Sequence, residues 1–248
     1  MKRTSIIIPT HNGLGLVQQT VDSIRRFTDE QKTPYELIIV DNRSTDGTCE
    51  WCIRERIPFI SLPYNTGFPA ACNKGLRMAS GDNLLLLNND VIVSHGWLDG
   101  LLQSLYSSDE VGMVGPVTNY ASGRQQVQYP FDSMDEFHRV AKELRNQPEL
   151  LAEPILRLVG FCMLFKRDLY ERIGELDEGF SPGHYEDDDY CLRARMNGFI
   201  LLMCRSVFVH HLGSASFNRS DPSALQQLVE CNRQRFMGKW QIDPAVFI

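Results

Sequence analysis

The chain has 248 residues, a formal net charge of −6, 43% hydrophobic and 23% charged residues. That balance suits a folded globular chain, long enough for one large α/β domain or a core with an appendage. It excludes a nucleic-acid binder that works by neutralising phosphates, which needs a basic face. The longest apolar runs, 84–87, 161–165 and 199–204, are too short to span a bilayer. The apolar stretch after Lys2-Arg3 is too short for a signal core. The expectation is a cytoplasmic protein, at most peripheral at the inner face of a membrane. Seven scattered cysteines include one CxxC, Cys49/Cys52, with no second pair at zinc-site spacing. It falls in a predicted helix and is read as structural.

The first ninety residues alternate strand and helix. Thr4–Ile8 is β-rich and ends at Pro9-Thr10-His11-Asn12-Gly13. Leu16–Phe27 has helical periodicity, Tyr35–Val40 is a strand ending at Asp41-Asn42, and Ser44–Gly47 is a turn before a helix near 47–55. Ile57–Leu62 reads as a third strand, and Asn65-Thr66-Gly67-Phe68 opens a helix stopped at Gly81. Leu84–Leu87 is an uninterrupted apolar run, as expected of a fully buried parallel strand. The pattern implies a Rossmann-like parallel sheet flanked by helices, without GxGxxG or a P-loop. Further on, Trp97–Tyr106 reads as a helix, Val111–Val117 as a strand, Asn119–Tyr129 as a polar loop and 132–146 as a surface-covering helix. Leu156–Phe165 reads as a strand broken at Gly160, and an acidic cluster at 186–189 precedes a helix over Tyr190–Asn197. Phe199–Met203 and Val207–Val209 read as strands, and 222–238 as a closing helix. One domain over 1–248 is expected, in three stretches: 1–117, 118–214 and 215–248, the last a helix and tail.

Parallel strands carry their C-terminal ends to one edge, where ligands bind. Four predicted strand ends bear polar residues there. Asp90 after the leucine run suits a divalent cation held against phosphates, although Asn88-Asn89-Asp90 also suits a plain turn. Glu186–Asp189 supplies four adjacent carboxylates, either a solvated helix start or a general base kept among like charges. His210-His211 offers a candidate metal ligand at a strand end. A phosphate-bearing donor, a cation and a carboxylate base are together the equipment for displacing a diphosphate.

The ordered segments SIIIPTHN, IIVDNRSTDGT, YNTGFPAACNKGL, LLLLNNDVIV, GFCMLFKRDLYERIGELDEGF and HYEDDDYCLRARMNGF resemble glycosyltransferase family two with the GT-A fold, over roughly residues 4–214. The likeness is greatest to a bacterial branch of rhamnosyl- and N-acetylhexosaminyl-transferases. It implies inverting transfer from a UDP- or dTDP-sugar to a glycan, lipid-linked or protein acceptor, with Mn²⁺ or Mg²⁺. It places Thr10, Asn12, Asp41, Ser44 and Asp46 near the nucleotide, and Asn65, Gly67 and Asn73 in the donor pocket. Asn88-Asn89-Asp90 stands where the family has DxD, Asp187 where it has a catalytic base, and His210 where several members complete the metal site. Glu186, Asp189, Arg193, Gly160 and Phe161 are expected as supporting or acceptor-side residues. The chain departs from the pattern in having Asn88 for the first DxD carboxylate and Asp188 as an extra one. The competing readings are a non-catalytic sugar-nucleotide or glycan-binding module and a sugar nucleotidyltransferase. The second would want a basic phosphate loop, and no Lys or Arg occurs from residue 4 to 24.

Overall fold

The computed structural model describes residues 2–147, 150, 152–213 and 222–248. The leucine run forms β4 (Asn83–Leu87), and its four leucines are divided by strand alternation. Leu85 and Leu87 enter one core cluster, Leu84 and Leu86 the other. An apolar side chain at every position is therefore what a sheet covered on both faces requires.

On one face, α1 (Leu14–Phe27) packs Val17, Val21 and Ile24, spaced four and three apart. α2 (Thr48–Glu55) adds Trp51 and Cys52, and α4 (Trp97–Leu105) adds Trp97 and Leu101. On the other face lie α3 (Phe68–Met78), α5 (Met134–Arg145), α6 (Arg167–Ile173) and α7 (Glu186–Met196). Gly75 lets α3 lie against the sheet, since a Cβ there would stand 2.3 Å from Ile7 Cγ2. The expected surface helix is α5, yet it buries Phe137, Ala141 and Leu144.

Among the described residues the sheet has nine strands. β3 (Phe59–Ser61), β2 (Tyr35–Asp41), β1 (Thr4–Thr10) and β4 form a parallel half. β8 (Cys162–Lys166) then pairs antiparallel with β4, so β4 is parallel on one side only. β6 (Val111–Thr118) follows, paired with β9 (Ile200–His211), and β5 (Val91–Ile92) closes that edge. β7 (Ala152–Pro154) also pairs with β9.

Three sequence expectations change. The stretch 156–161 is a loop rather than the first half of a strand, and only Cys162–Lys166 joins the sheet. The two strands expected at 199–203 and 207–209 are one strand, β9, with a register shift against Pro116/Val117. The acidic residues do not precede α7; they are its first turn. The chain ends in α8 (Pro222–Trp240) and a 3₁₀ turn at Pro244–Phe247. No helix among the described residues is long and apolar enough to cross a membrane.

Candidate functional site

The ends of β1, β2 and β4 meet at one edge and are tied together by their polar residues. Thr10 O accepts from Asn42 N at 2.8 Å, and Thr10 Oγ1 accepts from Asn89 Nδ2 at 2.8 Å. Asn12 N donates to Ser44 Oγ at 2.9 Å, while its Oδ1 accepts from Thr45 N at 2.8 Å. The buried Asp41 carboxylate accepts from Ser44 N at 3.1 Å and from Cys49 Sγ at 3.2 Å. Asp46 braces helix starts, accepting from Leu14 N and Thr48 Oγ1 at 2.8 and 2.6 Å. Asn65 is exposed and closes a turn on Gly67 N at 3.0 Å. Gly67 has φ 84°, and a Cβ there would stand 2.6 Å from Pro182 Cα, so the α3 start and the 181–183 turn touch backbone to backbone.

Asp90 is buried at the mouth of this edge and faces β9. Its partner is His211, whose Nε2 lies 3.1 Å from Asp90 Oδ1. His211 Nδ1 is 2.8 Å from Tyr120 O, a contact only an N–H can make, so Nδ1 carries the ring proton. Nε2, buried and without a hydrogen bond among the described residues, faces that carboxylate oxygen. The pair can share a proton, as an imidazolium donating to the carboxylate, or face each other across a cation, since an imidazole nitrogen and a carboxylate oxygen are both ligands that a divalent metal accepts. The Phe161 ring stacks on His211 at 5.3 Å and 19°.

His210, which the resemblance made the candidate metal ligand, takes other partners than Asp90. Neighbouring residues of a strand point to opposite faces. His210 Nδ1 sits 3.0 Å from Asn119 Oδ1, and its ring packs on Phe131 and Phe137. Burial, and then the neighbouring His211, push the His210 pKa down.

The first turn of α7 separates its four carboxylates by the 100° step of the helix. Asp187 faces the cleft loop: Oδ2 accepts from Gly160 N and Oδ1 from Asp188 N, each at 2.9 Å. Asp188 faces Arg157, Nε to Oδ1 2.7 Å. Asp189 faces α8, accepting from Lys239 Nζ at 2.6 Å, Trp240 Nε1 at 2.9 Å and, on its other oxygen, Arg193 Nε at 2.8 Å. Arg193 also donates to Ile173 O and Glu175 O. Asp189 and Arg193 are thus packing anchors. Glu186 is buried beside Cys72, with Oε2 without a hydrogen bond among the described residues; burial and the Asp187 charge raise its pKa well above the usual range.

Burial, then Asp187, push Asp188 up to about 7 against the opposing pull of Arg157. A raised carboxylate favours the folded state while it holds its proton. Its contribution is full below the unfolded value of 3.8 and is lost as pH rises through about 7. Thermal stability of the parent is therefore expected to fall across that window. Asp188→Asn, which cannot titrate, should flatten the profile; an unchanged slope in thermal melts at several pH values would place the titration elsewhere.

The Gly160-Phe161 segment joins the two halves. Gly160 N holds Asp187, Phe161 O accepts from Asn88 N at 2.9 Å, and the Phe161 ring covers His211. One residue expected in the donor pocket, Asn73, and one expected at the DxD position, Asn89, turn inward. Asn73 is fully buried and exchanges hydrogen bonds with Leu176 backbone, with Nδ2 also on Glu178 Oε1. Asn89 is spent on Thr10. Trp97 is core, its indole on Thr28 Oγ1 at 2.9 Å. Arg157 was not singled out in the sequence, His211 was offered only as one of the His210-His211 pair, and Asn42, which accepts from Thr66 N and donates to Gly67 O, only as part of a polar strand end. A cation inside the apolar run around Arg157 was the one available signal.

Residues 5–174 match the family described as Glycosyl transferase family 2. The low-salt glycan biosynthesis hexosyltransferase Agl10 of Haloferax volcanii is 25% identical over 182 residues, 71% of this chain and 58% of that protein. The O-antigen biosynthesis protein RfbC of Myxococcus xanthus is 27% identical over 225 residues, 84% of this chain and 17% of that protein. The chain thus spans less than two-thirds of either relative's length. The mannosyltransferase PcManGT from Pyrobaculum calidifontis, solved in complex with GDP-Man and Mn²⁺, superposes with a TM-score of 0.63 at 22% identity, over 85% of this chain and 56% of that one. A likeness at that identity is one of fold, and it is the GT-A arrangement described above. With more than half of its length inside the family match, the chain belongs to glycosyl transferase family 2.

Proposed function

We propose that the protein transfers a sugar from a UDP- or dTDP-sugar to a hydroxyl of a glycan, lipid-linked or protein acceptor, inverting the anomeric centre. The observation that supports this reading is the Gly160-Phe161 link, whose adjacent residues hold the Asp187 carboxylate and cover the His211 ring of the Asp90–His211 pair. Asp187 takes the proton of the acceptor hydroxyl; the acceptor oxygen forms its bond to the sugar's anomeric carbon as the bond to the diphosphate oxygen breaks. Two backbone N–H groups hold the carboxylate in place for that step. Asp90 and His211, in place of His210, would hold Mn²⁺ or Mg²⁺. When bound, the cation neutralises charge on the departing diphosphate. Among the described residues no three His, Cys, Asp or Glu side chains converge on such a point. Two protein ligands leave coordination positions for donor oxygens, and the Asn88 substitution fits a site that is completed by the donor. PcManGT holding GDP-Man with Mn²⁺ supports a metal-assisted nucleotide-sugar donor here.

Calorimetric titration with UDP, dTDP, GDP and CDP, with and without Mn²⁺, tests the donor side. A pyrimidine diphosphate is expected to bind, and to need the metal. Absence of binding by all four would overturn the reading. His211→Ala and Asp90→Asn should each weaken the Mn²⁺-dependent part by at least the about 10–100-fold that loss of an outer-shell partner costs a metal site. His210→Ala should leave it near the parent value. The reverse ranking would restore His210 as the ligand.

A further inference from the structure

The turn that delivers Asp187 is conformationally unfavourable and is clamped from two sides. His184 and Tyr185 both have left-handed backbones, φ 73° and 72°, and Tyr185 is the residue from which α7 starts. Side-chain-bearing residues avoid that region unless their surroundings impose it. On the donor side, Phe68 N donates to Pro182 O at 2.8 Å and Gly67 lies against Pro182. On the opposite side, Asn232 reaches in from α8. Its Nδ2 donates to Phe180 O and Gly183 O at 2.8 Å and to His184 O at 3.2 Å. Two hydrogens serve three carbonyls, so one is shared. Asn232 is itself buried, so solvent has little access to replace it.

Carbonyl oxygens 180, 183 and 184 converge because the chain reverses there, and without a donor between them they would repel. We propose that Asn232 is a positioning residue for the base: by bridging these carbonyls it fixes the two left-handed residues, and through them the direction in which Asp187 leaves the first turn of α7. Asn232 lies beyond residue 174, where the family match ends. The proposal rests on the reading of Asp187 as the base.

The test is Asn232→Leu, of similar shape and without a donor. The assay is release of nucleoside diphosphate from a panel of UDP-, dTDP- and GDP-hexoses, beside Mn²⁺-dependent UDP binding and hydrogen exchange over 183–188. The expected result is a fall in kcat of about tenfold or more, as small misplacement of a reacting group produces, with KM and UDP affinity kept. Exchange should quicken at 183–188 and not in β4. If Asn232→Leu does not fold, Asn232→Ser, which keeps one donor, is read in the same way. Parental kcat, or kcat and UDP affinity falling together, overturns the proposal. In an Asp187→Asn background the same change should cost nothing further. Full activity of Asp187→Asn alone would instead remove the base reading, whereas an inactive Asp187→Asn beside an unaffected Asn232→Leu removes only the role of Asn232.

Discussion

Asp187→Asn is expected to lower turnover by about 10²–10⁴-fold, the range a positioned general base contributes, while Mn²⁺-dependent nucleotide binding persists. The amide has the shape of the carboxylate but cannot take a proton. It also cannot satisfy both existing contacts. One oxygen can still accept from Gly160 N or from Asp188 N, but the NH₂ must then face the other N–H. Leaving a buried donor unmade costs about 1–3 kcal/mol, so the variant should melt lower than the parent and still be folded. The informative experiment pairs a melt, a UDP titration with Mn²⁺ and a turnover measurement on one preparation. Loss of turnover with titration intact supports Asp187. Turnover near the parent value would shift the role to Glu186 or Asp188, whose side chains stand on either side of it on the same turn.

Asp189→Ala is expected to act on stability. This carboxylate is fully buried and accepts from Arg193, Lys239 and Trp240. Removing one member of a buried charged cluster costs about 3–5 kcal/mol, because its partners keep their charge and lose their counter-charge. At about 2–4 °C per kcal/mol for a chain of this size, the midpoint should drop by roughly 10 °C. Lys239 also pairs with Asp177 at 2.7 Å and retains part of its compensation. Arg193 keeps its bonds to Ile173 O and Glu175 O, so its guanidinium remains docked without a carboxylate. The loss should loosen α8 first, visible as faster hydrogen exchange there than in β1. A melt unchanged within a degree or so would show the cluster to be energetically idle.

The parts of the fold legible in the sequence were those where one residue pattern serves one purpose. The leucine run could only be a strand covered on both faces, and the polar residues after β1, β2 and β4 do gather at one edge. Other features depended on partners far along the chain. His210 and His211 are equivalent as letters; only pairing with β5 and the position of Asp90 decide which one faces the cleft. The stretch 156–161 has strand-like composition, yet Arg157 is drawn to Asp188 and Gly160 to Asp187, and these contacts hold it out of the sheet. In the acidic run, adjacency suggested a shared role. Helical rotation gives the last three carboxylates different partners: a backbone N–H, an arginine and a distant helix. Asn73 sits in a motif associated with the donor, but its amide closes on residues about a hundred positions away, a contact that no local signal announces.

The Gly160-Phe161 link has a consequence for how the site can change over time. Its span is fixed by backbone atoms and one aromatic ring, and the loop over 119–129 braces both ends of it: Gln125 Oε1 accepts from Val159 N at 2.7 Å, and Tyr120 O lies 2.8 Å from His211 Nδ1. A Cβ at Gly160 would meet Asp187 at 3.6 Å, an ordinary contact, so what matters is the length of this connection more than the identity of its glycine. On the proposed reading, a change in the 119–129 loop therefore reaches both the Asp187 end and the Asp90–His211 end of the link. Exchanging residues 119–129 with those of another family member should weaken Mn²⁺-dependent UDP binding as well, and one residue inserted between 160 and 161 should abolish turnover, which a titration and a turnover assay on the two variants would check.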